Sequence, residues 1–260
     1  MLERPVRTLL LLSCLLPAFP AFAAEGTLIE VPTRPGVTVP VYLMKRSNAT
    51  ATLALLPGGN GGIGLKDDVP SSRDFLVQNR ENFARQGFNV AVIGKPNDIG
   101  DLDLPTRRGS NHLTDLRRII EHLRDATSLP VWLVGMSRGT VSATAAAAAY
   151  GREDLAGIVL VSSITSTALP YTVPRQRLER IQIPVLVLHH TKDACAIADP
   201  DGVAQILTGL TNAPVAKVVL VNGGWGAWGD PCTSSNWHGY SGMEREAVNL
   251  IARWIHRPEP

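Results

Sequence analysis

Gly135-Met136-Ser137-Arg138-Gly139 is a Gly-x-Ser-x-Gly pentapeptide between an apolar run, Val131 to Val134, and a run of small residues, Thr140 to Ala149. Strand, tight turn, helix is the setting in which a serine hydroxyl stands exposed at the apex of a turn, beside a helix N-terminus, and can act as a nucleophile. Such a turn leaves no room for side chains beside the serine, which accounts for the flanking glycines. The hydroxyl is a weak nucleophile until an imidazole takes its proton. The imidazole in turn needs a carboxylate to fix its tautomer and to stabilise the imidazolium.

Four histidines follow Ser137 in the chain: His189, His190, His238 and His256. His256 closes the final helical segment, where a cation suits the helix C-terminus. His189 and His190 end an apolar run, Pro184 to Leu188, and Asp193 follows after Thr191 and Lys192. His238 lies in the loop Asn236-Trp237-His238-Gly239-Tyr240, between the last strand and the last helix. The chain order Ser137, Asp193, His238 places a nucleophile, an acid and a base in loops that follow strands. Asp199, Asp201 and Asp230 are the alternative acids. A metal site from His189, His190 and Asp193 is disfavoured, because adjacent strand residues point to opposite faces; no metal and no cofactor is expected. A fourth part is Pro57-Gly58-Gly59-Asn60-Gly61-Gly62, after an early strand. Backbone N–H groups of Gly59 or Asn60, with that of Arg138, are the expected oxyanion donors. A phosphate loop would end in Gly-Lys-Ser/Thr, which is absent.

The elements around these residues alternate. Strands are predicted near Leu28–Val31 and over Val37–Met44, Thr52–Leu56, Asn89–Ile93, Val131–Val134, Gly157–Val161, Ile183–Leu188 and Lys217–Val221. Helices are predicted over Phe75–Arg85, Leu113–Arg124, the alanine run, Gly202–Leu210 and Met243–Ile255, where Ala247, Leu250, Ile251, Trp254 and Ile255 share a face. Short apolar strands alternating with helices imply an α/β fold with a mostly parallel, twisted sheet covered on both faces. Ligands bind at the carboxyl ends of such strands.

The first residues read as a targeting segment. Arg4 and Arg7 precede the apolar stretch Leu9 to Leu16, and Ala21-Phe22-Ala23 fits a small-x-small cleavage site. Residues 1–23 are therefore expected to be a signal peptide and 24–260 a single domain, exported to the periplasm or the medium. Pro17 and Pro20 interrupt the stretch, so it is not expected to stay in a membrane. The full chain carries +2, and removing Glu3, Arg4 and Arg7 leaves +1. That balance gives no reason to expect nucleic acid as a partner. Oligomeric state is not legible. The remaining cysteines, Cys195 and Cys232, can pair in only one way, and an exported protein lives where disulfides persist. Cys195 lies two residues after Asp193 and Cys232 six before His238. A bridge between them is expected to pin the acid loop to the base loop.

On these motifs the chain resembles the α/β-hydrolase superfamily, in particular small exported bacterial members of the dienelactone-hydrolase and esterase type, from about Val37 to Ile255. The resemblance implies the α/β-hydrolase fold, with nucleophile Ser137, acid Asp193 and base His238. It also implies cleavage of a small-molecule carboxylic ester through an acyl-enzyme. Acyltransferase, thioesterase or peptidase chemistry uses the same triad, and a non-catalytic binding protein could use the same fold. Dienelactone hydrolases themselves carry a cysteine nucleophile, and the glycine loop here begins Pro-Gly-Gly rather than His-Gly-Gly-Gly. The gap of about twenty residues between Val161 and Ile183 is too short for a lid of several helices, so no large lid domain is expected. Trp225, Trp228 and Trp237 are candidates for an apolar rim or for packing beneath the loop. Arg138 is a candidate either for a substrate carboxylate or for a tie within the protein.

Overall fold

The computed structural model describes residues 26–260. The signal peptide expected over residues 1–23 lies outside the described residues. Eight strands form one sheet: β1 (Thr27–Arg34), β2 (Val37–Met44), β3 (Ala51–Leu56), β4 (Phe88–Ile93), β5 (Val131–Met136), β6 (Gly157–Val161), β7 (Val185–His190) and β8 (Ala216–Val221). Their order is β1-β2-β4-β3-β5-β6-β7-β8. β2 runs antiparallel to β1 and to β4, and every other neighbouring pair is parallel.

Among the described residues seven α-helices accompany the sheet: α1 (Phe75–Gln78), α2 (Arg80–Arg85), α3 (Leu104–Arg108), α4 (Ser110–Thr127), α5 (Arg138–Ala149), α6 (Val203–Gly209) and α7 (Glu244–His256). Alternate strand residues feed two apolar layers, as the period of two requires. Ala54, Leu56, Leu133 and Val187 pack with Leu116, Ile120, Val141 and Ile206 of α4, α5 and α6. Leu53, Leu55, Val134 and Leu188 pack with Phe75, Phe83, Val248 and Ile251 of α1, α2 and α7. The sheet is thus covered on both faces, as a parallel sheet must be. Between β6 and β7 lie only two short 3-10 turns, Val173–Arg175 and Leu178–Arg180, and no lid domain.

The helix predicted over Phe75–Arg85 is two helices. Asn79 separates them with φ −100° and ψ 8°, and its side-chain amide donates to the carbonyl of Phe75 at 2.9 Å. An asparagine side chain that bonds the backbone competes with the helical pattern.

Candidate active site

Ser137 sits between β5 and α5 with φ 51° and ψ −122°. For a residue with a side chain this conformation costs on the order of 1–3 kcal/mol and persists only where its surroundings enforce it. They do. Its N–H donates to Val161 at 3.0 Å, and its carbonyl accepts from the N–H and the hydroxyl of Thr140 at 2.9 and 2.6 Å. A Cβ at position 135 would stand 2.5 Å from the carbonyl oxygen of Gly139, and one at 139 would overlap that of Leu56. The two glycines of the pentapeptide are therefore required by close backbone approach.

Asp193 and His238 meet. His238 Nδ1 lies 2.7 Å from Asp193 Oδ2, and both side chains are buried. Asp193 Oδ1 accepts the N–H of Cys195 at 3.0 Å. His189, the penultimate residue of β7, brings Nε2 to 3.2 Å from the same Oδ2 and to 2.9 Å from the carbonyl of Ala198. Burial alone would raise the Asp193 pKa, but the bonds from His189, His238 and Cys195 outweigh it and hold the carboxyl at about 2. An ionised Asp193 assigns the proton of His238 to Nδ1 and leaves Nε2 as the basic nitrogen. That Nε2 is buried and has no hydrogen-bond partner among the described residues. His190 points the other way, stacked on Trp237 at 4.9 Å. Among the described residues no group of three or more His, Cys, Asp or Glu side chains could hold a metal ion.

The loop of His238 is anchored from below. The Ser162 hydroxyl donates to the carbonyl of His238 at 2.8 Å, and the Tyr240 hydroxyl donates to that of Leu188 at 2.8 Å. Cys195 and Cys232 are bonded, with Cα atoms 4.6 Å apart, so the bridge ties the loop of Asp193 to that of His238. Of the three tryptophans, Trp225 and Trp228 stand 76% and 67% exposed. Trp237 packs on His190, and Lys192 lies over the Trp237 ring with Nζ 5.2 Å from its centre. Arg138 lies 3.8 Å from Asp101, an ion pair within the protein.

The glycine loop comes within reach of the serine: a Cβ on Gly58 would lie 2.9 Å from Cβ of Ser137. The Gly58 N–H is taken by Asp74 Oδ2 at 2.8 Å, while Asp74 Oδ1 caps α1 through Leu76 N–H at 2.8 Å. Burial raises the Asp74 pKa, against the opposing pull of those N–H bonds. The N–H groups of Gly59 and Asn60 donate to no acceptor among the described residues. That of Arg138 is the first of α5, where a helix has no internal partner for it. Sequence reasoning missed Asp74, His189 and Arg107 at this site. Asp74, directly before the apolar Phe75-Leu76-Val77, carried a helix-cap signal; the other two carried none.

No family model matches the sequence, and no curated protein matches it. Solved structures do. The chain is similar to a dienelactone hydrolase of Anabaena variabilis, at 16% identity and TM-score 0.65 over 90% of this chain and 98% of that one. It is similar to an esterase of Pyrococcus furiosus, at 13% identity and TM-score 0.66 over 90% and 92%. It is also similar to a serine hydrolase without a lid from Xanthomonas campestris, at 18% identity and TM-score 0.57 over 94% and 100%. Strand order, helix placement and these likenesses agree: the protein has the α/β-hydrolase fold.

Proposed function

We propose that the protein is an exported serine hydrolase that cleaves a carboxylic ester through an acyl-enzyme on Ser137. The observation that carries this reading is the 2.7 Å contact between His238 Nδ1 and Asp193 Oδ2, at the strand ends where the strained Ser137 also stands. Similarity to structures named as esterase and serine hydrolase supports it.

In this reading His238 Nε2 removes the proton of Ser137 as Oγ attacks the ester carbonyl. The new C–O bond places negative charge on the former carbonyl oxygen, which the N–H groups of Arg138 and of Gly59 or Asn60 receive; one such donor is worth about 10²–10³ in kcat. The intermediate collapses, the C–O bond to the alcohol breaks, and the imidazolium returns its proton to the leaving oxygen. Water, deprotonated by His238, then releases the acid and restores Ser137. With no lid domain between β6 and β7, the site suits small or flexible esters. Export draws support from the signal-like residues 1–23 and the bonded Cys195–Cys232 pair. None of the described helices is long and apolar enough to cross a membrane.

A fluorophosphonate probe tests the assignment. The wild-type protein should be labelled and Ser137→Ala should not. A folded wild-type protein that takes no label, and turns over no p-nitrophenyl ester, overturns it.

A further inference from the structure

Arg107, in α3, is the largest fully buried side chain of the protein, 1% exposed. Its five hydrogen bonds all go to neutral oxygens. Nε donates to the carbonyl of Leu102 at 2.8 Å and Nη1 to the Ser142 hydroxyl at 3.0 Å. Nη2 donates to the carbonyls of Pro57, Gly59 and Gly58 at 3.1, 3.3 and 3.4 Å. Beyond Ser142 lies His112, whose Nε2 is 2.9 Å from the same hydroxyl. Burial, then the charges of Arg107 and Arg34, push its pKa down to about 3, so it brings no charge. Asp74, Asp101 and Asp103 act on Arg107 only at longer range. Burial pushes the guanidinium down to about 9, with Arg138 adding to the effect, which leaves it charged at neutral pH. A buried cation without a direct counter-ion costs several kcal/mol. Its position suggests what that charge serves.

A peptide unit joins the carbonyl of one residue to the N–H of the next. The carbonyls that Arg107 holds therefore belong to the same units as the N–H groups of Gly58, Gly59 and Asn60. A cation on a peptide oxygen draws electron density toward it and makes the N–H of that unit a stronger donor, because chains of hydrogen bonds polarise one another. The first of the three N–H groups already has an acceptor: Gly58 donates to Asp74 Oδ2 at 2.8 Å. The next two have no acceptor among the described residues. We propose that Arg107 is the positioning residue of the oxyanion cradle: through the Gly58–Gly59 and Gly59–Asn60 peptides it fixes and polarises two N–H donors, and its missing counter-charge is the negative oxygen that develops on the substrate. The inference rests on the serine-hydrolase reading of Ser137. Arg107 itself touches neither Ser137 nor the substrate.

The test compares wild type with Arg107→Met, which keeps length and loses charge, and Arg107→Lys, which keeps charge. With p-nitrophenyl acetate, the Met variant should lose between about 10-fold and 100-fold in kcat, less than the roughly 10²–10³ that outright removal of one oxyanion donor costs because the N–H groups stay in place, with KM little changed. The Lys variant should recover part of the loss. The amide protons of Gly59 and Asn60 should move upfield in the Met variant and stay near wild type in the Lys variant. A folded Met variant with unchanged kcat, or one whose Gly59 and Asn60 resonances do not move, overturns the proposal. Should the Met variant not fold, the Lys variant decides: wild-type-like amide shifts and kcat support the role, and a loss of both overturns it. A wild-type protein inert to esters and to fluorophosphonate would refute the serine-hydrolase reading instead, and the amide shifts would still judge the polarisation.

Discussion

Asn in place of Asp193 changes almost no volume, yet the surrounding bonds dictate which way its amide must face. Oδ1 accepts the Cys195 N–H at 3.0 Å, and a backbone donor there demands an acceptor. The carbonyl of the new amide therefore stays on that side, and its NH2 faces His238 Nδ1, where Oδ2 now stands 2.7 Å away. His238 must then offer Nδ1 as an acceptor and carry its proton on Nε2, the nitrogen that takes the proton of Ser137 in the proposed mechanism. His189 Nε2, 3.2 Å from the same position, meets a donor as well and has only the Ala198 carbonyl left to satisfy it. Tautomer inversion in a triad of this kind lowers kcat by about 10⁴, or about 5 kcal/mol of transition-state stabilisation. The assay is kcat for p-nitrophenyl acetate in Asp193→Asn, with circular dichroism to establish that the variant is folded. A folded Asp193→Asn that keeps more than about a tenth of wild-type kcat refutes the reasoning, because an effect about a thousandfold smaller than expected for inversion would mean that another group orients His238. Asp199→Asn serves as the control and should leave kcat unaltered.

Two further outcomes follow from the same loops. Removing the bridge with Cys195→Ser and Cys232→Ser frees a loop spanning 37 residues in the unfolded chain, which by chain entropy corresponds to about 4 kcal/mol; urea unfolding should read that loss, and a loss below about 1 kcal/mol would refute the clamp's contribution. Asp193 is held at about 2 against an ordinary 3.8, so its stabilisation is complete above pH 4 and disappears as the pH falls through 2. The contribution is about 2 kcal/mol, and unfolding scans from pH 5 to 2 should show a steeper decline in wild type than in Asp193→Asn; parallel curves would count against it.

Most of the sheet was legible because its strands are short, apolar and bounded by turn residues. Val37–Met44 and Gly157–Val161 run as read from the sequence, and Gly36 opens the former at φ 72°. Ser137 and Asp193 stand just beyond such strands, and His238 lies in the long loop between β8 and α7, where it was read from the sequence. What periodicity cannot reveal is an element too short to have a period. α3 has five residues, one of them Pro105, and depends on Asp103 capping Thr106 at 2.9 Å. The antiparallel β1–β2 edge was likewise not distinguished from the parallel strands, because direction is set by connection length rather than by composition. Arg107 was illegible in a deeper sense. A charged residue in a short polar helix reads as surface, and its partners at Pro57 to Gly59 lie 48 to 50 residues away in sequence.

The buried polar side chains complete a pattern that the apolar layers do not explain. Two faces of packed Leu, Val and Ile are enough to hold a sheet together, and they set no loop to a fraction of an ångström. At the carboxyl ends of the strands, each loop carrying a candidate functional group is instead tied by a buried polar or covalent link. Arg107 and Asp74 hold the glycine loop from opposite sides of the Pro57–Gly58 peptide. Ser162 holds the carbonyl of His238, and Tyr240 binds the same loop to the end of β7. His189 and the disulfide hold the loop of Asp193. The polar links, unlike the disulfide, are poor sources of stability, because desolvation offsets much of what they gain. They are well suited to fixing donors and acceptors before a charge appears, when reorganisation would otherwise consume the advantage. Removal of any one of the polar links should therefore reduce turnover more than it reduces stability, which is the opposite of what deleting a core leucine such as Leu53 or Leu188 would do.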